Sequence, residues 1–123
     1  SLVQVLCVED HPACTRILQA SLREFAEVRG VSSCKSALAV LQESEPALVL
    51  LDIDLPDGSG LDVLDAMRLE PRLRNIPVIV ISAVADDRLF EDARARGAAA
   101  CLSKPVDLQE VRQLALSLLY SGF

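Results

Sequence analysis

A chain of 123 residues that is 51% hydrophobic and 24% charged has the composition of a globular domain able to bury its own core, not of a disordered segment. Its net charge of −6 argues against direct nucleic-acid binding, because phosphate backbones are gripped by Lys and Arg; a DNA-binding role would need another domain. Aromatics make up only 3%, which leaves Leu, Val, Ile and Ala to build the core and suits helices packed on an aliphatic sheet.

In chain order, Val3 to Val8 (VQVLCV) reads as a short strand that ends at Glu9-Asp10, with Pro12 where a helix begins. Cys14, Ile17, Leu18, Ser21, Leu22 and Phe25 then recur at helical spacing as the inward face. Glu27 to Ser32 is a weaker strand interrupted by Gly30, and Lys35 to Glu43 a short helix closed off by Pro46. Ala47 to Leu51 (ALVLL) is apolar throughout, as expected of a central parallel strand covered on both faces. The acidic loop Asp52-Ile53-Asp54-Leu55-Pro56-Asp57-Gly58 follows, and Ser59 or Gly60 opens a helix with Leu61, Leu64 and Met67 inward. Val78 to Ile81 is a second buried strand ending at Ser82, followed by a polar helix over Asp86 to Arg96 that Gly97 stops. Ala98 to Ser103 is the last strand and ends at Lys104-Pro105. Val106 to Tyr120 closes the chain as an amphipathic helix with Val111, Leu114, Ala115, Leu118 and Leu119 inward.

No apolar run reaches membrane-spanning length and no basic segment opens the chain, so a cytoplasmic protein without membrane insertion is expected. The start at Ser1 in place of methionine reads as that of a domain cut from a longer protein or of a processed chain. Cys7, Cys14, Cys34 and Cys101 form no CxxC pair and no metal-finger spacing; they are expected to be small hydrophobes in a reducing compartment.

Five βα units predict an α/β domain with a doubly wound parallel sheet and helices on both faces. Right-handed crossovers leave few strand orders open. The order 2-1-3-4-5 would set the first and third strands side by side and converge four strand ends on one site: Glu9-Asp10, Asp52, Ser82 and Lys104. Carboxylates held together repel unless a cation neutralises them, and hard oxygen ligands with no His or Cys near them favour Mg²⁺. The Lys104 ammonium can offset charge on a phosphoryl oxygen and the Ser82 hydroxyl can hydrogen-bond another. An aspartate can act as nucleophile at neutral pH without deprotonation, forming an acyl phosphate.

VLCVEDHP, LVLLDIDLPDGSGLDVL, VIVISA and GAAACLSKP, in that order and spacing, resemble the receiver domain of two-component response regulators over essentially the whole chain. The resemblance implies a single receiver domain over residues 1–123, with the flavodoxin-like fold and the strand order 2-1-3-4-5. It implies that Asp52 is the phosphoacceptor, taking a phosphoryl group from a histidine kinase or histidine phosphotransfer protein, and that the domain catalyses its own phosphorylation and dephosphorylation. Mg²⁺ would be held by Asp10 directly, by Glu9 partly through water, by Asp52, and by the backbone carbonyl of Asp54. Ser82 would move toward the phosphoryl group, Ala83 would leave it room, and Lys104 would contact a phosphoryl oxygen. A cis peptide before Pro105 is expected, and Asp57 is assigned to the turn.

Two departures from the family stand out. Cys101 occupies the place of an aromatic whose ring usually reports the movement of the hydroxyl residue, which points to signalling through another surface or to phosphoryl relay. Asp54 adds a carboxylate beside the site. The first helix, with Pro12 and Ala13, is the expected docking place for a kinase helix, and Leu116 and Tyr120 fall outside the inward stripe of the last helix. Two alternatives remain at this level. One is a receiver-like docking module that is not phosphorylated. The other is a haloacid-dehalogenase-like phosphohydrolase, which shares DxD after a buried strand but places it on its first strand and needs a later acidic pair, for which only Asp86-Asp87 is available.

Overall fold

The structure, a computed structural model, describes residues 2–84 and 86–120. Its elements are β1 (Val3–Val8), α1 (Pro12–Leu22), β2 (Ala26–Val31), α2 (Cys34–Glu43), β3 (Leu48–Asp52), β4 (Asp54–Leu55), β5 (Gly58–Ser59), α3 (Gly60–Leu69), β6 (Val78–Ser82), α4 (Asp87–Ala95), β7 (Ala100–Ser103) and α5 (Leu108–Tyr120). Five strands form one parallel sheet in the order β2-β1-β3-β6-β7. Counted among themselves, they have the expected 2-1-3-4-5 order. β4 and β5 form a separate antiparallel ribbon, Asp54 opposite Ser59 and Leu55 opposite Gly58, inside what reads in sequence as a turn.

All residues of β3 and β6 are buried, which explains their unbroken apolar runs. Alternate side chains leave the sheet on opposite faces. Leu6, Val8, Val49, Leu51 and Val80 pack against α2, α3 and α4. Val5, Cys7, Leu50, Ile79 and Ile81 pack on the other face against α1 and α5. Among the described residues, no helix is long and apolar enough to cross a membrane.

Some expectations shift. β2 runs through Gly30, which pairs with Cys7, so the glycine does not interrupt it. Ile17, expected inward, is 47% exposed, because the apolar stripe of α1 is wider than the face the sheet covers. The last helix begins at Leu108 and not at Val106: the Asp107 carboxylate accepts the Gln109 N–H at 2.9 Å and fixes the start there.

The other helix ends are tied by residues distant in sequence. Neither α1 nor α2 has a basic residue in its last turn. Arg112 donates instead to the Ser21 carbonyl and Arg72 to the Leu41 and Ser44 carbonyls, supplying positive charge where unpaired carbonyls end a helix. Gly97 closes α4 with φ +111°, and a side chain there would run into the Arg68 guanidinium that donates to the Arg96 carbonyl.

At the start of α2 the Ser33–Ser36 capping box satisfies the backbone N–H groups of Ser33 and Ser36, while the Asp57 carboxylate accepts the Cys34 and Lys35 N–H groups at 2.8 and 3.0 Å. Asp57 does lie in the turn, as expected, but it also ties the acidic loop to a helix 22 and 23 residues away. The bonds from Lys35 and Cys34 hold its carboxyl below the usual carboxylate range. At Gly60 an added Cβ would overlap the carbonyl oxygen of Asp52, so the chain can re-enter α3 this close to β3 only without a side chain.

Two stability measurements follow from these contacts. Gly60→Ala is expected to lower the urea midpoint by an amount equivalent to about 1–3 kcal/mol, the range for forcing atoms into a packed site. Asp57→Ala should lower the midpoint at neutral pH. A carboxylate whose pKa is depressed on folding adds stability that is present above its unfolded pKa and lost as pH falls through the folded one. The gap between Asp57→Ala and the native chain should therefore close as urea curves are taken into the acid range.

Candidate functional site

The sheet register brings the expected residues together. Val8 pairs with Leu51, Asp52 with Ile81, and Ser82 with Ser103, so the residues at and just beyond these positions, Glu9, Asp52, Ser82 and Lys104, line the carboxyl edge. The backbone N–H of Lys104 donates to the Ser82 carbonyl at 2.8 Å and fixes the last of them.

Lys104 is the centre of the site. Its Nζ stands 2.8 Å from Glu9 Oε2 and 2.9 Å from Asp52 Oδ2, and the side chains of Glu9 and Asp52 are only 2% and 3% exposed. Burial raises the pKa of Glu9, and the charge of Asp52 adds to the rise, while the Lys104 bond opposes it. For Lys104 burial works downward, but the bonds to Glu9 and Asp52 outweigh it and push the pKa above its ordinary value, so the lysine is fully charged at neutral pH. The second oxygen of Asp52, Oδ1, accepts the Asp54 backbone N–H at 3.1 Å. Asp54 thus acts on Asp52 through its main chain, and its own side chain is exposed.

Toward α1 the chemistry changes. Glu9, Asp10 and His11 each offer a ligand atom within 4.8 Å of the others. Asp10 Oδ1 is buried without a hydrogen-bond donor, whereas Glu9 Oε2 is paired with the Lys104 ammonium. A buried carboxylate oxygen left without a donor suits a hard divalent cation. Asp52 is not part of that trio; its oxygens are engaged by Lys104 and Asp54. The expectation that no His or Cys stands near these carboxylates is corrected: His11 belongs to the trio, and the Cys14 thiol is close enough that, after burial, the charge of Glu9 raises its pKa. Both neighbours arise because the tight β1–α1 turn folds back over the acidic pair. The adjacency of His11 to Glu9-Asp10 in sequence was the available signal.

Ser82 is fully buried, and its Oγ accepts the Val84 N–H at 3.1 Å; its neighbour Ala83 is small and exposed. The Lys104–Pro105 peptide is cis. Cys101 lies in β7, half-buried, with its thiol directed at the Phe90 carbonyl of α4 at 3.7 Å. Asp86 caps α4 by accepting the Arg88 N–H at 2.9 Å, a structural task in place of the late acidic ligand that a phosphohydrolase would need. Tyr120 is 50% exposed at the end of α5, outside the inward stripe as expected.

Comparison with known proteins agrees with this geometry. Residues 5–116 match the family model of the response regulator receiver domain. The polar-differentiation response regulator DivK of Brucella ovis is 33% identical over 109 residues, covering 85% of this chain and 85% of its own. The two-component response regulator ARR10 of Arabidopsis thaliana is 33% identical over 115 residues, 91% of this chain but 20% of that protein, so the chain spans about a fifth of the length of such plant relatives. The crystal structure of the phosphorylated cyanobacterial phytochrome response regulator RcpA superposes with a TM-score of 0.89 at 26% identity, covering 100% of this chain and 98% of that one. A buried carboxylate pair bridged by a lysine at the carboxyl edge of a 2-1-3-4-5 sheet, in a chain that matches the family along nearly all its length, makes this protein a member of the response regulator receiver domains.

Proposed function

We propose that Asp52 accepts a phosphoryl group from a phosphohistidine on a histidine kinase or histidine phosphotransfer protein, in a Mg²⁺-dependent reaction in the cytoplasm that the domain itself catalyses. The observation that carries this reading is the Lys104 ammonium held between Asp52 and Glu9, which aligns the nucleophile and keeps a positive charge where phosphoryl oxygens would arrive. An Asp52 oxygen attacks phosphorus, the bond from phosphorus to the donor imidazole nitrogen breaks, and that nitrogen keeps the bonding electrons. Glu9 and Asp10, with the Asp54 carbonyl and Asp52, would hold Mg²⁺, whose charge offsets that of the transferring group. Lys104 then shifts its ion pair toward a phosphoryl oxygen. Ser82 exchanges its Val84 contact for another, and Ala83 presents no side chain to block it. Hydrolysis of the acyl phosphate by water returns the carboxylate.

A groove of about 630 Å³ beside Lys104, lined by Ala13, Cys14, Ile17, Pro105, Val106 and Leu108, supports docking of the donor along α1. The exposed Ile17 and Leu108, 47% and 43% exposed, give that groove an apolar wall. With a thiol in place of the ring, movement of Ser82 has no aromatic rotamer to carry it outward at position 101. The domain then signals through another surface or passes the phosphoryl group onward.

Intact-mass spectrometry after incubation with acetyl phosphate and Mg²⁺ tests the reaction. The native chain and Asp54→Asn should each gain one phosphoryl group, with none gained by Asp52→Asn or in the presence of a chelator. Phosphorylation that persists in Asp52→Asn would refute the assignment, and a folded native chain that gains nothing from acetyl phosphate or from any phosphohistidine donor would favour a docking module.

A further inference from the structure

The last turn of α3 and the end of α4 hold one another through a reciprocal pair of arginines that the reaction above does not use. From α3, Arg68 donates to the Arg96 carbonyl at the end of α4 at 3.0 Å. From α4, Arg96 reaches back: its Nη1 stands 2.8 Å from Asp65 Oδ2, and its Nε 3.0 Å from Asp92 Oδ1. Asp65 and Arg68 share one face of α3, as their i, i+3 spacing requires. Exposed ion pairs are weak one at a time, but here two guanidinium groups and two carboxylates form a single network, and it closes on a turn where Gly97 has no side chain to hold Arg68 off. The backbone behind it is tied as well: the Arg96, Gly97 and Ala98 N–H groups donate to the Asp92, Arg94 and Ala93 carbonyls, and the Ala99 N–H donates to Val78 of β6.

The opposite end of α4 is held only locally among the described residues. Asp86 caps it from within the same turn, and the chain leading in hangs on the Val84 N–H, which donates to Ser82 Oγ. We propose that the clamp of Arg68, Arg96 and Asp65 pins the carboxyl end of α4 to α3, so that movement of Ser82 toward a phosphoryl group is taken up at Val84 and the first turn of α4 and goes no further along the helix. This rests on the reading of Ser82 as the group that moves. Between the two ends the Cys101 thiol is directed at the Phe90 carbonyl and Ala93 is fully buried, which leaves a packed helix little room to slide as a whole. The clamp thereby identifies the surface that changes in a chain with no ring at position 101: the exposed Val84 and the start of α4 respond, while the face shared by α3 and the end of α4 stays constant.

Amide hydrogen exchange followed by NMR reads both ends of the helix. Asp65→Asn combined with Arg68→Gln removes the α3 half of the clamp and leaves every residue of α4 in place. Without ligand, the Arg96, Gly97 and Ala98 amides of this double variant should exchange about fivefold faster than those of the native chain, with unchanged β3 and β6 amides as the control for folding. On addition of Mg²⁺ and beryllofluoride, a phosphoryl mimic, exchange in the native chain should change by about fivefold or more at Val84 and by less than about twofold at Gly97 and Ala98, whereas in the double variant the change should extend to Gly97 and Ala98. Equal exchange at Gly97 and Ala98 in the unliganded native chain and variant, or a native response at Gly97 as large as that at Val84, overturns the proposal. A native chain that shows no ¹⁹F resonance of bound beryllofluoride overturns the reading of the phosphoryl site and the response built on it, and the unliganded comparison then decides by itself whether the clamp holds α4.

Discussion

The ion bridge from Lys104 to Glu9 and Asp52 is the interaction on which the rest of the site depends. Two carboxylates at adjacent strand ends, each almost wholly out of water, repel one another at short range and lose their hydration. One ammonium between them offsets both costs. Removing it would leave uncompensated buried charge, whose penalty is large compared with that of breaking an exposed pair. The bridge also explains why the site is poised and not inert: Lys104 is held by electrostatic attraction to two anions, so an arriving anionic group competes for it without breaking any part of the sheet.

What brings these charges together is register. Once Val8 lies opposite Leu51 and Asp52 opposite Ile81, Glu9 and Asp52 have to be neighbours, and the pairing of Ser82 with Ser103 brings Lys104 to the same edge. A one-residue slip of β3 would swap its leucines between the two helix-covered faces and carry Asp52 away from Glu9, so the packing that sets the register of the sheet also aims Asp52. The cysteines take no share in this chemistry. Burial, with the charge of Glu9, pushes the Cys7 thiol up to about 12, which makes it a small hydrophobe beneath the site.

Much of this was legible in the sequence because the strands are apolar runs that stop at polar residues. The five sheet strands and the inward leucines follow from periodicity, while the strand order, and with it the convergence of the four strand ends, follows from the family resemblance. What escaped the sequence depends on contacts between distant segments. Nothing in the run Pro56-Asp57-Gly58 says that the carboxylate of Asp57 will cap α2, and nothing in Arg72 or Arg112 says which helix end it will reach. The outward turn of Ile17 depends on how much of α1 the sheet covers. His11 was readable as a neighbour of the acidic pair, but that its ring would be left free depended on the turn geometry at Pro12.

The claim that matters most is that, of the three carboxylates between Leu50 and Gly58, Asp52 alone is the nucleophile. Borohydride reduction of the phosphorylated chain, followed by peptide mapping, tests it directly, since an aspartyl phosphate is reduced to homoserine where it stood. The account predicts homoserine at position 52 and unmodified aspartate at 54 and 57. Homoserine at either of those positions, or phosphate recovered on another side chain with Asp52 intact, would contradict it.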